Sequence, residues 1–149
     1  MTDPNPIAAQ TAESKSFTRY FPAIARILMG LAFTVFGLNG FLHFIPEPKT
    51  PMPEAAAAFA GGLMKSGYMF PLIMGTQLLV GILLLMNRFV PLALLLIMPV
   101  LVNIIAFHVF LQPAGVVPGA VLMVIELYLA WCYRSAYRPL LTARATPQT

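Results

Sequence analysis

Charged side chains are scarce in this chain. Only 9% of its 149 residues are Asp, Glu, Lys or Arg, whereas 59% are hydrophobic, and the mean hydropathy is +0.81. Soluble domains carry roughly 25% charged residues. This balance excludes an ordinary soluble enzyme and predicts a membrane protein that crosses the bilayer several times as one domain.

Cysteine is nearly absent as well. Cys132 is the only one in the sequence, which excludes an internal disulfide, a CxxC redox pair and a four-cysteine iron–sulfur site. The sequence also lacks Gly-rich phosphate loops, GxSxG elbows, HExxH pairs and nucleotide fingerprints. Its two histidines and Glu126 do not follow a known metal motif, so we predict no metal site. We assign no catalytic residue, and whether the chain is an enzyme stays open.

What the chain does have is four long apolar segments. A helix needs about 20 such residues to cross the hydrocarbon of a bilayer. The segments predict spans at about 22–42, 68–86, 89–111 and 118–137, with Pro22 at the start of the first helix. We therefore expect an all-α fold, a transmembrane four-helix bundle over residues 20–141. Residues 1–19 and 142–149 are predicted to be disordered cytoplasmic tails.

The few basic residues are unevenly distributed. Seven of the nine fall on one side of this scheme, and only Lys49 and Lys65 fall on the other. By the positive-inside rule, both termini are predicted to be cytoplasmic. The same distribution argues against nucleic acid as a partner. Arg26, about one turn into the first span, is expected to reach back to the cytoplasmic headgroups.

The link between the first two spans is the only long one. Its four prolines between residues 46 and 53 exclude a helix there. Residues 54–66 then fit a short helix, with Pro53 and Glu54 at its start. At some 13 residues this helix is too short to cross the membrane. We predict that it lies at the outer surface and packs over the bundle; a plain connector is the alternative.

Polar residues recur within the predicted spans. Counted from the predicted outer boundary, three of them lie at a common depth of about 12–14 Å: Gln77, Asn103 and Glu126. Asn39, His43 and His108 lie nearer the surface. We predict that these six residues line a pocket in the outer half of the bundle and bind a ligand or cofactor. Helix–helix contact is the alternative for Gln77 and Asn103, and interfacial anchoring is the alternative for the two histidines.

Glu126 is the centre of this hypothesis. A charged side chain in the middle of a membrane helix costs about 2.5–3.5 kcal/mol on insertion scales. Such a carboxyl group therefore turns to the bundle interior, finds a partner or takes up a proton. As an acid it can donate a hydrogen bond, and as an anion it needs a cation. Either state suits recognition of a carbonyl-bearing ligand or relay of a proton.

Six stretches of the sequence together resemble the DoxX family of membrane proteins. The resemblance covers about residues 20–141 and rests on FGLNGFLHFI at 36–45, PMP at 51–53, SGY at 66–68, GILLLMNRFVPLAL at 81–94, VNIIAFH at 102–108 and ELYLAWCYR at 126–134. It implies a four-helix protein of the bacterial inner membrane. Related sequences often carry Glu where this chain has Gln77, so an acidic pair in the family is here a Glu126–Gln77 pair.

The resemblance also implies a role in redox chemistry. Family members include a small subunit of a thiosulfate:quinone oxidoreductase, and others are linked to membrane oxidoreductase complexes in thiol and sulfur metabolism. We therefore expect an accessory subunit that binds a quinone or another small lipophile and serves a membrane-associated oxidoreductase. Two alternatives remain, a small proton-coupled transporter or pore and a non-catalytic scaffold. A homo-oligomer is left open.

Overall fold

A computed structural model of the chain describes residues 6–46 and 51–143. Within these residues it contains α-helices and 3-10 turns and no strand, which confirms the predicted all-α class. The helices are α1 (Pro6–Leu42), α2 (Glu54–Lys65), α3 (Met69–Leu85), α4 (Val90–Phe110), α5 (Val116–Cys132) and α6 (Arg134–Tyr137). Two 3-10 turns occupy Pro113–Gly115 and Arg138–Leu141. The predicted tail at 142–149 lies outside the described residues from position 144 on.

Several of these helices can cross a membrane. Three segments are each long and apolar enough, namely Tyr20–Leu42, Val90–Phe110 and Pro113–Cys132. Helix α3 has 17 residues and meets α2 at a bend of 89°, and the two together qualify as a broken span. Since about 17 residues is the lower limit for a crossing, α3 fits a fourth span. The chain is therefore a multi-pass membrane protein.

Helix α1 is longer than the sequence led us to expect. We predicted a disordered tail over 1–19, but the backbone is helical from Pro6 onward. Residues 7–21 contain neither Gly nor Pro, so nothing in the chain stops the helix there. Pro22 consequently lies inside α1 and not at its first position.

A sharp corner joins α2 to α3. The Ser66 hydroxyl donates to the Leu63 carbonyl at 2.6 Å and accepts from the Met69 amide at 3.0 Å, so it serves the end of one helix and the start of the next. Gly67 follows with φ +76°, a conformation that favours glycine. This corner places α2 across the end of the bundle, as predicted for a helix that packs over its mouth.

Asn87 ends α3 with a two-bond cap. The Arg88 amide donates to the Leu83 carbonyl at 3.0 Å, and the Asn87 amide donates to Leu84 at 3.2 Å. Asn87 itself has φ 55°, which completes a Schellman motif with Asn in the place usually taken by Gly. Helix α4 therefore begins only five residues after α3 ends, antiparallel to it.

Close packing of α1 on α3 depends on small residues. A Cβ added at Gly37 would lie 2.6 Å from the Leu78 amide nitrogen, and Gly81 lies against the backbone of Thr34. Such small-residue contacts let membrane helices approach closely. Beside this pair lies an apolar core that α4 and α5 complete, formed by Met29, Phe33, Val80, Leu84, Ala93, Leu94, Ile97, Leu101 and Leu129 with their neighbours.

Candidate functional site

Glu126 points into the bundle. Its side chain is 1% exposed, and Leu129, three residues on and on the same face of α5, is fully buried in the core. Within the described residues, its carboxyl oxygen Oε2 has no hydrogen-bond partner. A buried polar atom without a partner is rare in proteins and costs about 1–3 kcal/mol. Glu126 therefore offers a free hydrogen-bonding position in an apolar interior.

The sequence predicts Glu126 at the depth of Asn103, but the structure places Glu126 closer to the Cys132 end of α5 than to the start of this helix. It is ten residues after Val116 but only six before Cys132, where α5 ends. The ring of Tyr128, half a turn away, meets the ring of Phe21 near the start of the first candidate span, with centroids 6.5 Å apart. We call this the basal end of the bundle; it contains Tyr20, the α3–α4 turn and Cys132.

The segment after α5 contacts the first turn of α4 at the basal end. Helix α5 was predicted to continue to Tyr137, but it ends at Cys132. The Tyr137 hydroxyl donates to the Pro91 carbonyl at 3.1 Å, which ties the segment to the first turn of α4. Burial, and after it the charges of Glu126 and Tyr133, raise the pKa of the Tyr137 phenol. Tyr137 therefore anchors this segment at the basal end, the end of α5 that is nearer to Glu126.

Gln77 is the other predicted site residue that the structure buries. Its side chain is 5% exposed, in the middle of α3. Among the described residues, no hydrogen bond links it to Glu126. Both side chains nevertheless face the interior that the four long helices share, so Gln77 stays a candidate partner of the same ligand.

Three predicted site residues lie instead at the opposite end, which we call the α2 end. The Asn39 Oδ1 atom accepts from the Ile45 amide at 2.7 Å and so closes the chain after α1. His43 is exposed. The His108 Nδ1 atom lies 3.1 Å from the Gln112 carbonyl oxygen, and its ring packs on Gly115, which lies just before α5 and eleven residues before Glu126. The structure therefore does not bring these three residues to Glu126: Asn39 and His108 bond to the backbone just beyond their own helices, and His43 is exposed.

Asn103 occupies a third location. Its side chain is exposed on α4 and lines an open cleft of about 200 Å³ beneath α2. The other lining residues are apolar, namely Phe59, Ala106, Phe107, Phe110 and Leu111. The six predicted residues thus lie in three places. Glu126 and Gln77 are buried, Asn39, His43 and His108 lie at the α2 end, and Asn103 lies at the apolar cleft.

Arg26 is the residue whose role sequence reasoning missed. We expected it to reach the headgroups, but it is only 9% exposed. Its Nη1 atom donates to the carbonyl oxygen of Leu84 and also lies 3.5 Å from that of Leu85. These carbonyls belong to the last turn of α3, where the negative end of the helix dipole favours a cation. In the sequence, the only signal for this contact was the position of Arg26, one turn inside the first predicted span.

The described residues contain no group of three or more His, Cys, Asp or Glu side chains placed to hold a metal ion. Cys132 is a free thiol. What the site can do chemically thus depends on one carboxyl group, one amide and the apolar walls around them. The sequence matches no family model, and neither a curated protein nor a solved structure matches it.

Proposed function

We propose that this protein is a DoxX-like integral protein of the inner membrane that binds a quinone or a similar small lipophile and serves a membrane-associated oxidoreductase. The observation that carries the proposal is the Glu126 carboxyl group, buried among apolar side chains with its Oε2 atom free of hydrogen bonds from the described residues. Ionisable residues inside membrane proteins commonly mark ligand or proton pathways.

The chemistry of a quinone suits such a group. A quinone is an apolar ring with carbonyl oxygens, so it partitions into hydrocarbon and accepts hydrogen bonds from a protonated acid. Reduction of a quinone to a quinol adds two electrons and two protons, and in this proposal Glu126 is the group that passes a proton. Electrons must come from a partner protein, because the chain has one cysteine and no cofactor motif of its own.

The distribution of basic residues supports an orientation for the proposed protein, with the basal end in the cytoplasm. Arg88 and Arg134 are exposed and belong to the basal end, whereas Lys65 ends α2 on the opposite side. With the basal end in the cytoplasm, both termini are cytoplasmic, and α2 lies at the outer face. Lys49 falls outside the described residues.

Gentle solubilisation tests the proposal. Protein extracted from its native membrane in mild detergent is expected to carry extractable quinone in near-equal amount and to retain a redox enzyme. The matched comparison is the Glu126→Gln variant, which keeps the size of the side chain and removes the acid. Wild-type protein that carries no quinone and binds none added to it would contradict the proposal.

A second candidate function is proton-coupled transport. It is favoured by the short distance from Glu126 to the basal end, six residues along α5 or about 9 Å. A proton could then reach the carboxyl group from one side only, and a second conformation would be needed to release it on the other. Protein in liposomes with a pH gradient should then show solute flux that Glu126→Gln abolishes, whereas a binding subunit shows none.

A further inference from the structure

Two arginines lie on one face of the helical turn that follows α5. Arg134 begins α6, and Arg138, four residues later, keeps a helical backbone with φ −53° and ψ −44°. Side chains four residues apart on a helix are neighbours, with about 5–6 Å between their Cβ atoms. Both arginines are exposed. Because like charges at this spacing repel each other, the turn favours a bound anion that neutralises them.

The guanidinium group of Arg134 is held in place at the end of α5. Its Nη1 atom donates to the Trp131 carbonyl oxygen at 3.0 Å, and its Cζ atom lies 4.8 Å from the centre of the Trp131 ring. A guanidinium group has five N–H donors, and within the described residues this carbonyl oxygen is the acceptor for one of them. The cation is therefore positioned in advance, with further donors that suit the oxygens of a phosphate.

A third exposed arginine lies at the same end of the bundle. The Tyr137 hydroxyl, next to Arg138 in the chain, donates to the Pro91 carbonyl oxygen. Arg88 is exposed three residues before Pro91, in the α3–α4 turn. Of the acidic residues whose side chains the structure describes, Glu54 begins α2 at the opposite end and Glu126 is buried. The described part of the basal end is thus positively charged, without an exposed carboxylate to balance it.

Apolar side chains flank these arginines at the level where the membrane ends. Trp131 is exposed near the end of α5, and tryptophan prefers the boundary between hydrocarbon and headgroups. Leu140 and Leu141 follow in the turn Arg138–Leu141 and are 67% and 81% exposed. Leucines exposed beside a membrane span are stabilised by entering the hydrocarbon. An anion bound at this end therefore meets apolar surface as well, which suits a lipid better than a soluble phosphate.

We propose that Arg134 and Arg138, with Arg88 beside them, bind the phosphate group of an anionic phospholipid whose acyl chains pack on the neighbouring apolar side chains. Basic side chains at the end of a membrane helix each favour an anionic lipid over a neutral one by about fivefold. The inference is independent of any ligand at Glu126, because the arginines lie at the surface and outside the bundle interior.

Trp131 is the single tryptophan of the sequence and serves as the reporter. The full chain is reconstituted in phosphatidylcholine vesicles that contain a small fraction of phosphatidylglycerol with brominated acyl chains, which quench tryptophan fluorescence on contact. Quenching by brominated phosphatidylcholine at the same fraction is the reference, and the two together give the relative binding constant of the lipids. Each protein is normalised to vesicles of the same composition without bromine.

The variants are Arg138→Gln, which leaves the Arg134–Trp131 contact intact, the double variant Arg134→Gln/Arg138→Gln, and Arg138→Lys, which keeps the charge. Lys65→Gln is the control, since Lys65 is an exposed cation at the α2 end. Thermal unfolding of each variant reports on folding. The same measurements are repeated in 1 M salt and with millimolar inorganic phosphate.

We expect wild type to prefer phosphatidylglycerol, Arg138→Gln to lower this preference about fivefold and the double variant to lower it about 20-fold. Arg138→Lys and Lys65→Gln should keep the preference, and 1 M salt should weaken it. Equal quenching of wild type by the two lipids overturns the proposal and is the result expected if the arginines only orient the chain. A loss in Lys65→Gln as large as that in Arg138→Gln overturns it too, since net charge would then suffice. Complete displacement by inorganic phosphate overturns the lipid in favour of a soluble anion.

Discussion

The Nη1 atom of Arg26 donates a hydrogen bond to the Leu84 carbonyl oxygen, although the two residues are 58 positions apart in the chain. This contact joins the first turns of the α1 span to the last turn of α3. It also explains how a cation is tolerated inside an apolar bundle. The guanidinium group neutralises the negative end of the α3 dipole and adds a second donor to the Leu84 carbonyl, which also accepts from the Asn87 amide.

Loss of that contact should destabilise the bundle. Hydrogen bonds to charged groups contribute about 1.5–3 kcal/mol, so Arg26→Met is expected to lower the free energy of unfolding by about 2 kcal/mol. Arg88→Met is the control, since Arg88 is exposed in the α3–α4 turn. Unfolding of both variants in mixed detergent micelles measures the difference. Equal stability of the two variants would show that the Arg26 contact contributes nothing.

Packing of α1 on α3 can be tested with a pair of glycines. Gly37→Ala places a methyl group 2.6 Å from a backbone nitrogen of Leu78, so the two helices must separate. Overpacking of this kind costs about 1–3 kcal/mol. Gly75→Ala meets nothing within 4 Å and should be neutral or stabilise α3 by about 0.5–1 kcal/mol. Thermal unfolding should separate the two, and equal effects would contradict the packing of α1 on α3.

Tyr137 gives a pH dependence with a definite sign. Burial, with the nearby charges of Glu126 and Tyr133, raises the pKa of its phenol above the ordinary value of 10.0. The unfolded chain therefore loses this proton first as the pH rises. The stabilisation is fully present below about pH 10 and is lost above it. Wild type should lose stability above pH 10 more steeply than Tyr137→Phe does, and parallel curves for the two proteins would refute this.

The orientation of the bundle can be read from single cysteines. In a Cys132→Ser background, Arg88→Cys and Glu54→Cys each place a thiol at an exposed position. In intact cells a membrane-impermeant maleimide should label the cysteine at position 54 and should label position 88 only after lysis. The reverse pattern would place the termini on the outer side.

Sequence reasoning predicted the elements better than it predicted the contacts between them. Helix α2 was expected at 54–66 and occupies Glu54–Lys65, because Pro53 and Gly67 bound it on either side. The end of α5 at Cys132 was missed, because the apolar run continues past it, and the bond from Tyr137 to Pro91 that holds the next segment joins two distant parts of the chain. Contacts of that kind depend on distant segments and leave no local signal.

For the site as well, the burial of single residues was predicted better than their contacts. That Glu126 and Gln77 would face the interior followed from the cost of burying them in lipid, and both are buried. Counting residues placed Glu126 level with Asn103, but the count assumed that α5 begins at Pro118, whereas it begins at Val116. The local bonds of Asn39 and His108 could not be foreseen, since each depends on the path of the chain after its helix ends.

The most direct measurement is the thermal stability of the purified protein with and without a short-chain quinone, for wild type, Glu126→Gln and Glu54→Gln. Glu54 is an exposed carboxylate outside the bundle and controls for the change of charge. The account predicts that quinone raises the melting temperature of wild type and Glu54→Gln, and that the folded Glu126→Gln variant loses the shift. An equal shift in all three proteins would contradict the claim that the buried acid holds the ligand.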